Sequence, residues 1–473
     1  MAFLKELVYA GSALTLGYLG WKVFSGTAAI VRSMGRARGK IFVVIGAGFA
    51  GLAAACELAR LLPDFDNGRI LLIDKDNFLL FTPMLSEAAA GEIDARHIVH
   101  PVDHVSKRIQ FVAATVTGID IGRKVVRVSR GSAESKPVPE EFQADGIVIA
   151  LGSITDFHDI PGLAETAIPM KKLWDATSLY RRVLARLEQA SLEEDPERRK
   201  ALLTFVVAGG GFSGVETMAA LNDFLRESSH EYPAVARKDI RTILINPDDR
   251  LLHELTPDLA AYAETALKKR GVEIRMNTRV SGATGSSVGV QGGECKPART
   301  LVWTAGVKPN PLVEKLDCEK GKHGRIKVDA CCEIRGCPGV WVIGDCAEIP
   351  QADEKKSYAP TAQNATREGK HVARNMVAAL RGEKVTPFRY TPVGELALVG
   401  RRSGVARLYG HNFSGVVAWA MWRATYLAKM PGAGQKLRIG ADWLLDLLFG
   451  RTPFPVGPGA SIPEEGKLEN DAG

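Results

Sequence analysis

Two glycine-rich segments with the same spacing are the clearest chemical signal in this chain. The first contains Gly46, Gly48 and Gly51, and the second contains Gly209, Gly211 and Gly214. Each follows an apolar run and precedes a helix-like segment. In such a turn the first glycine permits the tight bend, the second lets backbone approach a pyrophosphate, and the third lets the helix pack on the sheet. The helix N-terminus then attracts the phosphates. The pair predicts two dinucleotide sites with electron transfer between them.

The residue that closes each predicted βαβ unit differs between the two segments. Residues 70–73 end at Asp74, an acid placed to accept hydrogen bonds from a ribose. Residues 242–245 end at Asn246, which would not repel the 2′-phosphate of NADPH, and Arg241 and Arg250 lie nearby. We therefore predict a resident dinucleotide at the first site and exchangeable NADH at the second, with NADPH as an alternative. Asn246 is equally compatible with a hydrogen bond to the ribose of NADH.

A second acid at a strand end indicates a flavin. Asp345 follows an apolar run and Gly344, where it is placed to bind the ribityl or phosphate part of FAD. A helix is predicted to begin near Ala362. Its positive end would stabilise the anion that forms at flavin N1 on reduction.

The elements predicted around these residues are those of an α/β protein with parallel sheets. Continuous apolar runs indicate strands that are buried on both faces. Strands are predicted at 41–45, 70–73, 146–150, 204–208, 242–245, 301–306 and 340–345, and helices at 52–62 and 179–200, with a break at 193–196.

The C-terminal third has a different character. Segments 413–429 and 437–449 are rich in Trp and Leu and are flanked by Lys429, Lys436, Arg438 and Arg451. This pattern is typical of helices in a membrane interface, and a dimer or domain interface is the alternative. Residues 452–473 are rich in Pro, Gly and acids and are predicted to be disordered.

The N-terminal residues 7–31 are apolar and interrupted only by Lys22. They are long enough to span a bilayer, and the basic residues that follow would place the rest of the chain on the cytoplasmic side. An interfacial or packed helix and a targeting segment are the alternatives.

Composition limits the partners. The net charge of +7 suits anionic cofactors or an anionic membrane surface, whereas no Lys/Arg block interleaved with aromatics indicates nucleic acid. The seven cysteines match no zinc spacing, and no His or acid set completes a metal site at Cys331, Cys332 and Cys337. No metal is predicted.

These motifs resemble a known family. Both glycine segments, Leu151–Ser153, Trp303–Gly306 and Ile343–Asp345 resemble the two-dinucleotide flavoprotein disulfide reductase superfamily. The segments Phe81–Leu85, Gly214–Glu216 and Ala362–Gln363, with the tryptophan-rich C-terminus, narrow the resemblance to the type II NADH:quinone oxidoreductases. It covers about residues 40 to 450.

The resemblance implies a role for each matching residue. Glu216 would lie near the nicotinamide, and Ala362 and Gln363 would lie beside the isoalloxazine at the quinone pocket. The FAD site would contain Gly46, Gly48, Gly51, Asp74 and Asp345, the nicotinamide coenzyme would contact Gly209, Gly211, Gly214 and Asn246, and Gly152 and Gly306 complete the cofactor-binding set. The predicted catalytic residues are Glu216, Gln363 and Arg367.

Two features separate this chain from related enzymes. Arg367 stands where the family usually has a second glutamine, which changes the charge of the acceptor pocket. Residues 57–294 contain no cysteine, although dithiol reductases place a cysteine pair beside the flavin in this segment. Electrons are therefore expected to leave the flavin directly for an acceptor.

The resulting hypothesis is an α/β protein with two Rossmann-like dinucleotide-binding domains, the second inserted in the first, and a C-terminal membrane-association region. The expected parts are an apolar segment at 1–39, an FAD-binding domain at 40–160 and 311–385, an NAD(P)H-binding domain at 161–310, a docking or dimer region at 386–451, and a tail at 452–473.

The expected activity is transfer of a hydride from NADH to FAD and of two electrons to a membrane quinone, without proton pumping. The expected partners are a quinone, a bilayer surface and a second copy of the chain in a homodimer. The alternatives are a ferredoxin or rubredoxin reductase with a protein acceptor, and a flavoprotein that signals by dimerisation.

Overall fold

The computed structural model describes residues 39–62, 68–103, 105–131, 138–351 and 356–451. The predicted N-terminal anchor and the predicted disordered tail at 452–473 lie outside the described residues.

A first parallel sheet contains the first glycine segment. Its three inner strands and the edge strand Val340–Val342 are almost continuously apolar and largely buried, as a sheet covered on both faces requires, whereas the other edge strand, Ile109–Ala113, contains Gln110 and is partly exposed. In spatial order the five strands are Val340–Val342, Gly146–Ile149, Ile41–Ile45, Arg69–Asp74 and Ile109–Ala113. The glycine turn leaves the central strand at its carboxyl end, where parallel sheets bind ligands.

A second parallel sheet repeats this plan around the second glycine segment. In spatial order its strands are Ile168–Pro169, Thr300–Trp303, Thr204–Ala208, Arg241–Ile245 and Val272–Arg275. All of them lie between two strands of the first sheet in sequence. Each sheet is also interrupted in sequence by a three-stranded antiparallel ribbon, which precedes the strand Gly146–Ile149 in the first sheet and Thr300–Trp303 in the second. The ribbons are Thr115–Asp120, Val125–Arg130 and Val138–Gln143 in one, and Val280–Ala283, Ser287–Val290 and Cys295–Pro297 in the other.

The chain passes between the two halves through a pair of strands. Ser153–Thr155 leaves the first half and pairs antiparallel with Val307–Pro309, which returns to it. The Trp303 indole N–H donates to the Asp156 carbonyl at 2.8 Å beside this crossing. Minor strand pairs are Phe78–Leu80 with Val99–Pro101, and Ile326–Lys327 with Ala347–Glu348.

The helices confirm most of the predicted pattern. The break at 193–196 is confirmed, because the Asp195 carboxylate accepts hydrogen bonds from the backbone N–H groups of Glu197 and Arg198 and starts a new helix. The α-helices are Phe49–Leu61, Leu85–Ala89, Leu163–Thr166, Leu173–Leu192, Pro196–Leu202, Phe212–Ser228, Pro257–Lys269, Pro311–Glu314, Ala362–Leu380, Gly415–Lys429 and Ala433–Phe449.

Helix Ala362–Leu380 packs unusually closely on helix Phe49–Leu61. A Cβ on Gly369 would lie 2.2 Å from the carbonyl oxygen of Ala50, so only glycine permits this approach. The close contact fixes the start of the later helix beside the first glycine turn.

The C-terminal region begins with an antiparallel sheet formed by Gly394–Leu398, Gly404–Leu408 and His411–Ser414. The helix predicted from residue 413 therefore begins only at Gly415, and the one predicted from 437 begins at Ala433. Within these helices Trp422 and Trp443 are buried, and the Arg451 side chain is 4% exposed, so these residues anchor the helices to the protein. The predicted membrane interface stays a prediction for the exposed faces.

Among the helices that the structure describes, none combines the length and apolar character needed to cross a bilayer.

Candidate functional site

The first glycine turn is shaped for close approach of a ligand. Gly46 has φ +99°, and a Cβ there would lie 2.2 Å from the Ala150 carbonyl oxygen. A Cβ on Gly51 would lie 1.8 Å from the Gly46 carbonyl oxygen, whereas around Gly48 no atom lies within 4 Å. Helix Phe49–Leu61 has no side-chain cap and no acid in its first turn. Its free N–H groups are therefore available to a phosphate.

The second glycine turn has the same geometry. Gly209 has φ +117° with the Thr304 hydroxyl against it, and Gly214 packs on the Gly209 carbonyl oxygen. Gly211 again faces open space, and helix Phe212–Ser228 starts without a side-chain cap or an early acid. Both turns thus fit the pyrophosphate of a dinucleotide.

Asp74 and Asn246 occupy equivalent positions but make different contacts. The Ala47 N–H donates to Asp74 Oδ2 at 2.6 Å, so the acid closes onto the first glycine turn, and burial raises its pKa. Asn246 is 2% exposed, and its amide nitrogen donates to the carbonyls of Asp248 and Arg250. Its ribose contact stays a prediction.

Asp345 is held in a small polar group at the carboxyl end of the first sheet. Its Oδ2 accepts from the Ser153 hydroxyl at 2.6 Å and from Lys171 Nζ at 3.2 Å. The neighbouring Gly344 N–H donates to Glu368 at 2.8 Å, and burial raises the pKa of Glu368 to about 7. These contacts fix the Asp345 carboxylate, and its contact with FAD stays a prediction.

The remaining predicted glycines directly precede the paired strands Ser153–Thr155 and Val307–Pro309, where the chain passes between the two halves. Gly152 has φ +65° and open space around it. Gly306 is packed against His158 and the Asp156 carbonyl, which a Cβ would approach to 2.5 and 2.8 Å. Both assignments as cofactor contacts stay predictions.

A row of four aromatic rings, here called the aromatic bridge, joins the two glycine-turn helices. Phe49 begins the first helix and contacts Phe81, with ring centroids 5.8 Å apart. Phe81 contacts Tyr426 at 6.2 Å, and Tyr426 contacts Trp422 at 4.6 Å. The Trp422 indole N–H then donates to Glu216, on the second helix, at 2.9 Å.

Glu216 lies at the end of the aromatic bridge, and one of its carboxyl oxygens accepts two hydrogen bonds. Its Oε1 accepts from Trp422 and from the Leu398 backbone N–H at 3.0 Å. Glu216 is partly exposed as a residue, yet burial of its carboxyl raises the pKa to about 8. It therefore holds a proton near neutral pH and can release it, which suits a proton donor.

The predicted acceptor residues gather at the start of helix Ala362–Leu380. Thr361 caps this helix by accepting from the Asn364 N–H at 3.2 Å. The Gln363 amide donates to the Tyr390 hydroxyl, and the Arg367 guanidinium lies over the Tyr390 ring at 4.1 Å. Arg367 also donates to the Gln363 carbonyl at 3.0 Å.

A second cation lies close to Arg367. Lys429 Nζ lies 5.6 Å from the centre of the Tyr426 ring, and burial together with the Arg367 charge lowers its pKa. The structure thus brings Gln363 and Arg367 together, and Lys429 interacts both with the charge of Arg367 and with the Tyr426 ring of the aromatic bridge.

The cysteines are arranged for packing. All seven are free thiols. Cys346 and Cys332 are buried, and burial raises the pKa of Cys346 to about 12 and that of Cys332 well above its ordinary value. A neutral thiol is a poor nucleophile, so neither serves a disulfide relay. Within the described ranges, no three His, Cys, Asp or Glu residues form a metal-binding group.

The chain is similar to known proteins along most of its length. Residues 40–369 match the family model for pyridine nucleotide-disulphide oxidoreductases, and residues 393–452 match the NDH2 C-terminal domain. A type II NADH:quinone oxidoreductase of Mycobacterium tuberculosis is 31% identical, over 86% of this chain and 88% of its own. A probable NADH dehydrogenase of Dictyostelium discoideum is 30% identical, over 89% and 93%.

This chain belongs to the type II NADH:quinone oxidoreductase family.

The fold of a type II enzyme agrees with this membership. The structure of NDH2 from Plasmodium falciparum in complex with NADH has a TM-score of 0.80, with 19% identity over 88% of this chain and all of the other. The sulfide:quinone oxidoreductase of Aquifex aeolicus, at a TM-score of 0.65 and 18% identity, has a related fold.

The sequence interpretation of this type II enzyme missed four polar residues of the site region. Lys171 and Glu368 hold the Asp345 region, and Tyr390 contacts Gln363. Glu87 is buried next to helix Phe212–Ser228. Only Glu87 had a visible signal, because it is an acid inside the apolar run 84–90.

Proposed function

We propose that the protein is an FAD-dependent NADH:quinone oxidoreductase. The nicotinamide of NADH gives a hydride to flavin N5, and the flavin passes two electrons to a membrane quinone without proton pumping. The observation that carries the proposal is the aromatic bridge, which joins two matching glycine turns with no cysteine pair between them. Direct hydride transfer requires two dinucleotides to bind close together, and the ring contacts of the bridge support short spacing between the two glycine-turn helices. The lack of a cysteine pair in residues 57–294 supports direct transfer from the flavin to the acceptor.

The two halves then have separate tasks. The FAD-binding domain would comprise 40–160 and 311–385, with its pyrophosphate at Gly48 and its ribose near Asp74. The NADH-binding domain would comprise 161–310, with its pyrophosphate at Gly211. When bound, FAD supplies the hydride acceptor, and the protein holds the two rings in line and orients charge around them.

The surroundings of Asn246 favour NADH over NADPH. A 2′-phosphate needs an unengaged cation beside this strand end. Arg250, in the loop that follows Asn246, uses its guanidinium to donate to the His253 carbonyl at 2.9 Å. Arg241 begins the strand Arg241–Ile245, so it lies at the opposite end of that strand, where it pairs with Glu273 at 3.0 Å. NADPH would therefore compete with the existing contact of Arg250.

The quinone would reach the flavin beside Gln363 and Arg367. The Gln363 amide and the Arg367 guanidinium both supply N–H donors, which suit the two carbonyl oxygens of a quinone. Arg367 and Lys429 add positive charge, so negative charge that develops on the acceptor during reduction is stabilised there.

The C-terminal residues 386–451 would dock on a lipid surface. Helix Ala433–Phe449 turns Ile439, Trp443 and Asp446 inward and exposes several large apolar side chains. Together with two residues of the preceding helix, the exposed apolar side chains are Val416, Val417, Leu437, Leu444, Leu445, Leu447, Leu448 and Phe449. Such a patch normally indicates an interaction site. Exposed Lys429 and Arg438 at its edge suit anionic lipids on the cytoplasmic face. A homodimer through the same patch is the alternative.

An anaerobic titration tests the reaction. NADH is expected to bleach the flavin absorbance of the purified protein, and a short-chain quinone is expected to restore it. NADPH should bleach it only at higher concentration. If neither coenzyme bleaches the flavin, the proposal is wrong. If only an acidic iron–sulfur protein restores the absorbance, the ferredoxin-reductase alternative is correct.

A further inference from the structure

Glu87 is a buried acid whose oxygens have no hydrogen-bond partner among the described residues. It is 1% exposed, on the short helix Leu85–Ala89. The nearest cation contact is Arg423 Nη2, 3.5 Å from Glu87 Oε1, which is too long for a hydrogen bond. An ionised carboxylate in this position would be strongly destabilised, so the acid is expected to be neutral.

The charges around Glu87 support a neutral carboxyl. Glu92 lies beside it and already engages both available cations, Arg423 and Arg451, the latter at 3.1 Å. Burial first, and then the negative charges of Glu92 and Glu216, raise the pKa of Glu87 well above its ordinary value, against the opposing effects of Arg423 and Arg451.

A small cavity of about 20 Å³ connects Glu87 with Glu216. Both carboxyls contribute to its lining, together with polar groups of Asp223 and Arg401. This volume has room for one ordered water, and the polar lining offers such a water several partners. Ser86, also on the lining, has its hydroxyl 3.1 Å from that of Thr217.

The other groups that face Glu216 do not compete for its proton. Trp422 and the Leu398 backbone are donors to its Oε1, so they leave Oε2 for an additional contact. Tyr426 is the next titratable group, and burial and the Glu216 charge raise its pKa, so it stays neutral. The cavity therefore offers Glu216 one titratable neighbour without a hydrogen-bond partner among the described residues, Glu87.

We propose that Glu87 and Glu216 form a buried proton reserve, joined by a water in the cavity between them, that supplies one proton to the quinone. The inference rests on the proposed function for its acceptor. Glu87 acts through Glu216 and is a positioning and proton-holding residue, since it contacts no reacting atom itself.

The proton balance of the reaction requires such a source. Reduction of a quinone to a quinol takes two electrons and two protons, and a hydride brings both electrons and one proton. The second proton leaves Glu216 as its O–H bond breaks and an O–H bond forms on the acceptor. The proposal therefore requires the acceptor pocket at Gln363 and Arg367 to extend along Tyr426 and Trp422 to Glu216. The Glu87 proton then passes through the water to Glu216, and solvent entering by the half-buried side of Asp223 and Arg401 restores Glu87.

Infrared titration of the oxidised flavoprotein, without NADH or quinone, tests the coupling directly. Carbonyl bands of protonated carboxyls are followed from about pH 5 to about pH 10 in the unsubstituted protein, E87Q, E216Q and the double variant. Each single variant is expected to keep one step, at lower pH than the higher of the two coupled steps in the unsubstituted protein, and the double variant should lose both. S86A, which changes the lining without removing a proton, should keep both steps.

Stability and turnover give two independent readouts. Because a neutral Glu87 is mimicked by Gln, E87Q should melt at nearly the temperature of the unsubstituted protein. Its kcat with quinone above about pH 8 should fall about tenfold or more while the quinone KM is unchanged. Additive infrared changes, or a large loss of stability in E87Q with unchanged titration, would mean that Glu87 is an ionised partner of Arg423 and would overturn the proposal.

If E87Q does not fold, E216Q alone decides, because without coupling its remaining step cannot move. Failure of the proposed function would appear separately, as absent flavin reduction by NADH.

Discussion

At the residue scale, the two glycines at the helix starts have the same surroundings and different predicted ligands. Gly48 and Gly211 have negative φ values, −71° and −76°, and a Cβ added to either would have no atom within 4 Å. Alanine is therefore compatible with the fold at both positions. The added methyl would project only into the space where a pyrophosphate is expected.

This equivalence gives a matched pair of substitutions. G211A should raise the KM for NADH about tenfold, an effect of about 1.4 kcal/mol, with FAD content unchanged. G48A should lower the FAD content of the purified protein and leave the NADH KM of the flavin-loaded fraction unchanged. Melting temperatures of both should stay near that of the unsubstituted protein. If G211A instead lowered the FAD content and G48A raised the KM for NADH, the FAD and NADH assignments of the two glycine turns would have to be exchanged.

The ionisation of Glu216 makes a second prediction, for stability against pH. Its pKa is about 4.5 in the unfolded chain and about 8 in the fold, so the folded state keeps a proton that the unfolded state releases. This contribution is complete below about pH 4.5 and is lost as the pH rises towards 8. E216Q keeps the acceptor for Trp422 and Leu398 but has no proton to lose.

The measurement is the melting temperature of the unsubstituted protein and of E216Q from about pH 5 to about pH 8. The decline with pH should be smaller in E216Q. Exposed Glu231 provides the control, because E231Q should follow the unsubstituted protein. Parallel curves for all three proteins would show that Glu216 is ionised in the fold.

The agreement between sequence and structure also differs by residue. The roles of the glycines in the two turns were predictable, because φ values such as +99° at Gly46 and contacts such as that of Gly51 follow from the spacing. The contacts of Asn246 were not. Its amide binds its own loop because residues 248–250 turn back over the strand end, and no local pattern encodes that turn.

At the element scale, Arg423 connects the two C-terminal helices. Its guanidinium lies between the rings of Trp419, at 4.5 Å, and Trp443, at 4.6 Å, and it pairs with Glu92. The side chain is 12% exposed, so these contacts are largely shielded from water. Helix Ala433–Phe449 has few other buried side chains and depends on this arrangement.

Removal of the charge at this position should release the last helix. R423M leaves Glu92 with Arg451 alone and is expected to cost about 3–5 kcal/mol, as breaking a buried ion pair does. Hydrogen exchange in 433–449 should rise well before exchange in the two sheets. The control is R438M, which replaces an exposed arginine on helix Ala433–Phe449. Equal protection of this helix in R423M and R438M would contradict the assignment.

The same region shows which elements the sequence could predict. The central strands of both sheets were predictable, because their short, continuous apolar runs lie next to the glycine turns and are typical of a parallel sheet that is covered on both faces. The strands Ile109–Ala113, Ile168–Pro169 and Val272–Arg275 were not predicted, because they are short or contain polar residues. The orientation of the C-terminal helices was not, because Trp, Leu and Arg occur on membrane faces and on buried faces alike. Trp443 contacts Arg423 of the preceding helix, and Arg451 pairs with Glu92, which is distant in sequence, so the inward direction of these side chains depends on tertiary contacts.

At the scale of the whole molecule, the two halves and the C-terminal region meet along one line. The aromatic bridge starts at Phe49 of the first half and passes through Phe81 to Tyr426 and Trp422 of the C-terminal region. It ends at Glu216 of the second half. The exposed apolar residues belong to the same two C-terminal helices that contribute Tyr426 and Trp422 or pack beside them.

Docking on lipid is therefore the prediction for the intact molecule. Leu444 and Leu448 are 55% and 63% exposed, one helical turn apart. Their replacement together by Ser should cost at least about 3 kcal/mol of membrane binding, or about a hundredfold, from lost apolar burial. Flotation of the holoprotein with vesicles that contain anionic lipid measures this loss.

Leu192, 80% exposed on the second half, is the matched control, and L192S should float normally. NADH oxidation with a water-soluble quinone should be unchanged in both variants, which separates docking from catalysis. Normal flotation of L444S/L448S combined with a change from dimer to monomer would instead identify the patch as a subunit interface.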